Sequence, residues 1–451
     1  MNRRVKKTLV TYGAAGALIA ATVGGGLGAG LSGLDLMLVV GPIAAAILLA
    51  ATVSDAFGLY CLTLAWLPFS AGFLQIEIGV VTFNPYLFGM LGLVLVVGAR
   101  ILLGGLKRMF TARDLLVLAL GCAFLFSTLQ APDLMEAGFL GFHALFVPIV
   151  SYFVARGMVR TEEEYRIAWR FFLVGLVAFG IVGIVEYTAV QGRTHVVSVP
   201  PIGAATLLIV AVLGLFLLKS WHWAIRWSAL AASSAALVLT FSRTYLVALL
   251  VAPVLWYWIR RGGAGYLVGV LIVGTLAATL LVTHNAEWFR PTAYDKNAEY
   301  SAERITSMDF WKGSIYGRAL AFQAGLEEFE RHPIAGGGLR KGEKMVTQHN
   351  FHIEWLEYGG LIGYALYAAV FVAHFFAMRR LARVDRFCAA NLLIISLIVM
   401  NAVTNGFMHG LMPYVAFLLM GLNETRRRIL AQQARVERRR FAPGGAFAEA
   451  L

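Results

Sequence analysis

Residues 349 to 363 read HNFHIEWLEYGGLIG, and the polar side chains in this run are of the kinds that move protons. His349 and His352 carry imidazoles that titrate near neutrality, Asn350 offers a donor and an acceptor, and Glu354 adds a carboxylate. A neutral imidazole can take the proton from an attacking hydroxyl. The same letters could serve a metal, since His349 and His352 stand three apart beside Glu354. The run is not H-E-x-x-H, however, and a third ligand would have to come from His332 or His284, so no metal is assigned. Three arginines suit the other half of such chemistry, because a planar guanidinium matches paired phosphate oxygens. They are Arg193 in VQGRTHVVSVPP, Arg243 in TFSRTYLVAL and Arg318 in GRALAFQAG. Arg243 is the most informative of them. An arginine at bilayer depth costs ~2.5 to 3.5 kcal/mol, so it is ordinarily paired or functional; here the plain alternative is snorkelling or pairing with Glu186. Arg193 and Arg318 read singly as solvated loop charges, and only convergence would make a site of them.

The elements that hold these residues are membrane helices. Of the 451 residues 59% are hydrophobic and only 14% charged, with a mean hydropathy of +0.73, a composition foreign to a soluble globule. Apolar runs cover residues 8–30, 34–53, 56–74, 85–103, 114–131, 139–155, 171–190, 201–218, 227–241, 244–259, 264–283, 355–378, 387–407 and 410–423. They predict an all-α polytopic membrane protein of about 12 to 14 transmembrane helices. With the N-terminus inside, 27 of the 38 Lys and Arg fall in alternate loops on the inner side, from Arg3 to the arginine-rich tail, so both termini are expected in the cytoplasm. The net charge of +13 then belongs to that bias and to the tail, which suits contact with membrane lipid and leaves no need for a nucleic acid partner. The N-terminal run reads as a retained signal anchor. Cys61, Cys122 and Cys388 lie in or beside spans and imply no disulfide framework.

Three regions follow: N-terminal helices over 1–190, a membrane core over 191–425, and a basic cytoplasmic tail over 426–451. Within the core, residues 284–353 form one large late extracytoplasmic loop, far longer than an ordinary connection. Its segment SIYGRALAFQAGLEEFERH has helical periodicity ended by Pro333 and Gly336 to Gly338, and predicts a helix on or near the outer membrane surface. GGGLRKGEK lacks the G-K-[ST] ending of a phosphate loop. Gly359, Gly360 and Gly363 read as small residues that let a membrane helix pack closely.

The run HNFHIEWLEYGGLIG resembles the signature of the O-antigen ligase and polysaccharide polymerase superfamily, with His349, Asn350, Gly360 and Gly363 at its fixed positions. TFSRTYLVAL is similar to the Ser-Arg helix start of that family, and GRALAFQAGLEEFERHPIAGGG to its Arg-led helix and His-Pro turn. The likeness covers roughly residues 190–425. It departs at Arg193, where two prolines follow in place of an Asn-rich segment. The resemblance implies transfer of a glycan from undecaprenyl pyrophosphate to a glycan or lipid A core acceptor, on the periplasmic face of a bacterial inner membrane and with no cofactor. His349 would be the catalytic base, kept neutral by nearby arginines. Arg243, Arg318 and Arg193 would hold the pyrophosphate, with Asn350, His352, Glu354, Gly360 and Gly363 in support. A polymerase is the preferred reading and a ligase the alternative. A transporter or flippase of lipid-linked sugars is the rival class; it predicts polar residues at span centres rather than at one border.

Overall fold

The computed structural model describes residues 55–70, 76–78, 81–83, 85–104, 110–131, 133–190, 201–218, 221–291, 308–338, 350–401 and 411–441. The first two apolar runs, Arg193 and His349 lie outside the described residues. The architecture is helical: α1 (Ala56–Trp66), α2 (Pro85–Gly104), α3 (Ala112–Leu129), α4 (Leu134–Gly141), α5 (Val147–Met158), α6 (Glu162–Val190), α7 (Pro201–Leu218), α8 (Trp223–Leu239), α9 (Arg243–Trp258), α10 (Ala264–His284), α11 (Met308–Arg331), α12 (Phe351–Met378), α13 (Leu381–Val384), α14 (Arg386–Asn401) and α15 (Met412–Phe441). α3, α6 and α12, together with the pair α9 and α10, are long and apolar enough to cross a membrane, and shorter apolar helices accompany them. The chain is an integral membrane protein.

Several expected boundaries move, each for a local reason. The run 56–74 stops early, because Pro68 ends α1 in a short 3-10 turn over Leu67–Phe69. It is followed by an antiparallel pair, β1 (Ile76–Ile78) and β2 (Val81–Phe83), in which Ile76 faces Phe83. α4 and α5 are one run interrupted by a π turn over Phe142–Phe146. α9 and α10 turn on each other through Ile259–Gly263. α15 does not stop at residue 423; it continues through Phe441, so the tail begins as the same helix.

The interior is one apolar cluster in which Trp169, Phe172, Phe179, Trp355, Tyr367 and Phe371 are fully buried. Large apolar side chains remain on the outside, Leu91 with Leu95 on α2 and Leu250 with Val254 on α9, each pair four residues apart on one helix face. In lipid such faces carry no penalty, so packing and buried polar contacts do the joining.

One end of the bundle is tied by ion pairs. Asp114 closes a capping box with Thr111 at the start of α3, accepts from Tyr152 at 2.7 Å and pairs with Arg156. Arg113 reaches Glu424 at 2.7 Å, Arg426 holds Asp385 at 2.7 Å and pairs with Glu162, and Arg428 donates to the Arg156 and Val159 carbonyls. Residues drawn from four of the inner segments predicted by charge thus meet at this end. The polar seam lies at the opposite end of α12.

Candidate active site

α12 starts at Phe351, four residues ahead of the expected residue 355, because Asn350 caps it. The Asn350 Oδ1 accepts from the backbone N–H of His352 at 2.9 Å and of Ile353 at 3.2 Å, which satisfies two of the otherwise open donors of the first turn. His352 and Glu354 therefore belong to the first turn of a helix and not to a loop. Asn350, His352 and Glu354 are all fully buried. The position of Glu354 suits the positive end of the helix dipole. His349, immediately before the cap, lies outside the described residues.

A row of hydroxyls on α10 receives this helix start. Thr275, Thr279 and Thr283 follow one another at spacing four, which puts them along one face. Thr279 Oγ1 accepts from Asn350 Nδ2 at 2.9 Å, and Thr275 Oγ1 stands 2.7 Å from His352 Nε2. The Thr275 hydroxyl also lies 2.5 Å from the Leu271 carbonyl, where its single proton goes, so its oxygen is left to accept from His352. His352 is then the neutral tautomer protonated at Nε2, and its Nδ1 accepts from the Tyr364 hydroxyl at 2.9 Å. Both ring nitrogens are engaged within the protein. Phe351 packs on the His352 ring with centroids 5.0 Å apart, and Phe351, Trp355, Tyr367 and Phe124 pack on one another at centroid separations of 4.3 to 6.2 Å.

The glycines after the seam do different work from one another. α12 is broken at Gly360, which has φ 58 and ψ −161, a conformation essentially reserved for glycine. The turn over residues 332–338 docks into the break. Leu361 N–H donates to the Pro333 carbonyl at 2.9 Å, Ile362 N–H to that of Ile334 at 3.1 Å, and Gly337 N–H to that of Glu357 at 2.8 Å. Ser127 on α3 donates its hydroxyl to the Tyr358 carbonyl. A β-carbon on Gly360 would lie 2.5 Å from the backbone of Ile334 and Gly336, whereas one on Gly363 would sit 3.8 Å from the Phe124 ring, an ordinary contact. Close helix packing, the expected role, therefore does not account for Gly363, and Gly360 serves backbone geometry. Gly360→Ala should lose about 1 to 3 kcal/mol from backbone strain alone, before the clash with the docked turn is added. A lower melting temperature by intrinsic fluorescence in detergent is expected for it, and a value near the parent's for Gly363→Ala; equal melting would show that the break tolerates a side chain.

Arg243 is the first residue of α9. The turn ahead of it is strained: Phe241 has φ 48, which bulky side chains rarely adopt. Its guanidinium is buried and lies 4.4 Å from the centroid of the Trp311 ring on α11. Stacking uses the face of the guanidinium and leaves N–H edges for acceptors in its plane. Arg318 is half-buried and stands seven residues after Trp311, two turns along the same face of α11. α11, expected over 314–332, begins at Met308 because apolar residues continue upstream. It packs on α10 and α12, and its Gln323 donates to the Thr283 carbonyl at 3.1 Å. The structure thus joins Arg243, α11 with Arg318, and the seam. Among the described residues no three His, Cys, Asp or Glu side chains cluster as metal ligands, and His349 is not among those residues.

Sequence reasoning missed Thr275, Thr279, Thr283, Trp311 and Tyr364. Three threonines at spacing four inside an apolar run were the available signal for the first three.

Residues 228–368 match the family model described as O-antigen ligase. That stretch runs from α8 into α12 and includes Arg243, Arg318 and the whole seam, and it supports membership of the chain in the O-antigen ligase superfamily. No curated protein matches the chain.

Proposed function

We propose that this glycan-transferring membrane enzyme of the ligase and polymerase family moves a glycan from undecaprenyl pyrophosphate to a sugar hydroxyl, as a polysaccharide polymerase of the bacterial inner membrane. The observation that supports this most is that one family match covers both the Asn350-capped helix start and the buried Arg243, which α11 joins. The acceptor hydroxyl attacks the anomeric carbon of the donor sugar. The new carbon–oxygen bond forms as the bond to pyrophosphate breaks, and undecaprenyl pyrophosphate leaves with the bonding electrons. His349 takes the hydroxyl proton. Arg243, Arg318 and Arg193 offset the charge gathering on the departing oxygens, and the α12 N-terminus adds its dipole.

The convergence of Arg113, Arg156, Arg260 and Arg426 to Arg428 with their partners at the end opposite the seam supports a cytoplasmic location for that end and a periplasmic one for the seam. Pyrophosphate is already a good leaving group, so no metal is assigned a role.

Reconstitution in liposomes with native undecaprenyl-linked repeat units tests the proposal. Chain extension without lipid A core, persisting in excess chelator, is expected. Transfer only onto lipid A core would make the enzyme a ligase. Loss in chelator with recovery on adding zinc or another divalent ion would install a metal, and movement of the donor across the bilayer without any new glycosidic bond would favour the transporter class.

A further inference from the structure

We propose that Thr279 is a positioning residue of the transfer reaction, acting through Asn350 on the helix start that follows His349; this rests on the reading of His349 as the base. The Asn350 amide has a fixed orientation. Its oxygen is turned to the N–H groups of His352 and Ile353, so its nitrogen points away from the helix, and there it donates to Thr279 at 2.9 Å. Both side chains are fully buried, so bulk water does not compete for this bond. With the hydroxyl removed, a buried amide N–H loses its acceptor on α10, and the simplest relief is rotation of the Asn350 side chain, which shifts the cap and the backbone bonded to it.

The position of Thr279 in its row makes the contact more than a local cap. Thr275 holds His352 one turn below, and the carbonyl of Thr283 one turn above receives Gln323 of α11. One face of α10 therefore sets the height of the seam and the height of the helix that carries Trp311 and Arg318. The relative positions of a base and a set of phosphate-binding arginines must be kept to within about an ångström, and α10 is the shared reference for both.

The test uses the full-length protein in liposomes with undecaprenyl-linked donor. Thr279→Val keeps the shape and removes the acceptor, and Thr279→Ser keeps the acceptor. Thr279→Val is expected to lower kcat by about 10- to 100-fold with KM for the donor nearly unchanged. Thr279→Ser should return kcat to within about twofold of the parent, as expected when the acceptor oxygen is retained. In the double variant Thr279→Val, Asn350→Ala, the loss should be no greater than in the worse single variant. Full kcat in Thr279→Val, failure of serine to rescue, or a loss that follows only the amount of folded protein would overturn the proposal. His349→Ala separates the two levels: inactive His349→Ala beside fully active Thr279→Val defeats the positioning role alone, and active His349→Ala defeats the base assignment and with it this proposal.

Discussion

His349→Ala is expected to slow glycan transfer by about 10² to 10⁴-fold, the usual contribution of a positioned general base. The neighbouring histidine supplies the contrast. His352 has Thr275 on one nitrogen and Tyr364 on the other, inside the apolar interior, and so has no lone pair left for a substrate. His352→Ala should leave transfer per folded molecule less affected and should instead lower stability, because it strips a partner from two hydroxyls. Initial rates at matched membrane levels, with folded protein quantified by size-exclusion fluorescence, separate the two. Near-normal transfer in His349→Ala with loss in His352→Ala would move the base to the other histidine; near-normal transfer in both would remove general-base catalysis from the seam.

Arg243→Ala should cost about 10² to 10³-fold, comparable with loss of one charge-stabilising donor in a transition state. Arg243→Lys should recover part of that, since an ammonium keeps the charge and forfeits the in-plane fork. The stack on Trp311 sharpens the expectation, because a lysine has no plane to lie flat on an indole. The loss should fall on kcat more than on KM if the guanidinium meets charge that appears only as the pyrophosphate departs. A lysine variant as fast as the parent would reduce Arg243 to a point charge.

Much of this fold was legible in the sequence, and the illegible parts share a cause. Apolar runs gave the helices from Ala56 onwards because crossing lipid demands length and hydropathy, which composition displays. Regular alternation in Ile76–Ile78 and Val81–Phe83 carried the signature of the β pair, in segments too short to outweigh the spans on either side. The start of α12 was misplaced because Asn350, His352 and Glu354 look like surface residues until the α10 hydroxyls that accept two of them are known. A threonine in a membrane helix is nearly invisible to a hydropathy reading, and its partner lies some seventy residues away in the chain. The glycine positions of the signature were plain to read, but not that Gly360 breaks its helix. That depends on a φ angle and on a turn whose hydrogen bonds run to the helix backbone.

The docking of residues 332–338 into the break at Gly360 also bears on how the protein is made. Leu361 and Ile362, just past the break, have their N–H groups satisfied by Pro333 and Ile334, and in hydrocarbon an unsatisfied N–H costs several kcal/mol. The ribosome delivers the turn before it delivers the helix. With the turn already made, the second half of α12 finds its acceptors waiting as it inserts, and a chain rearranged to place residues 332–338 after the helix would have to insert it with those donors bare. The order of segments along the gene is in this respect an assembly instruction as well as a blueprint.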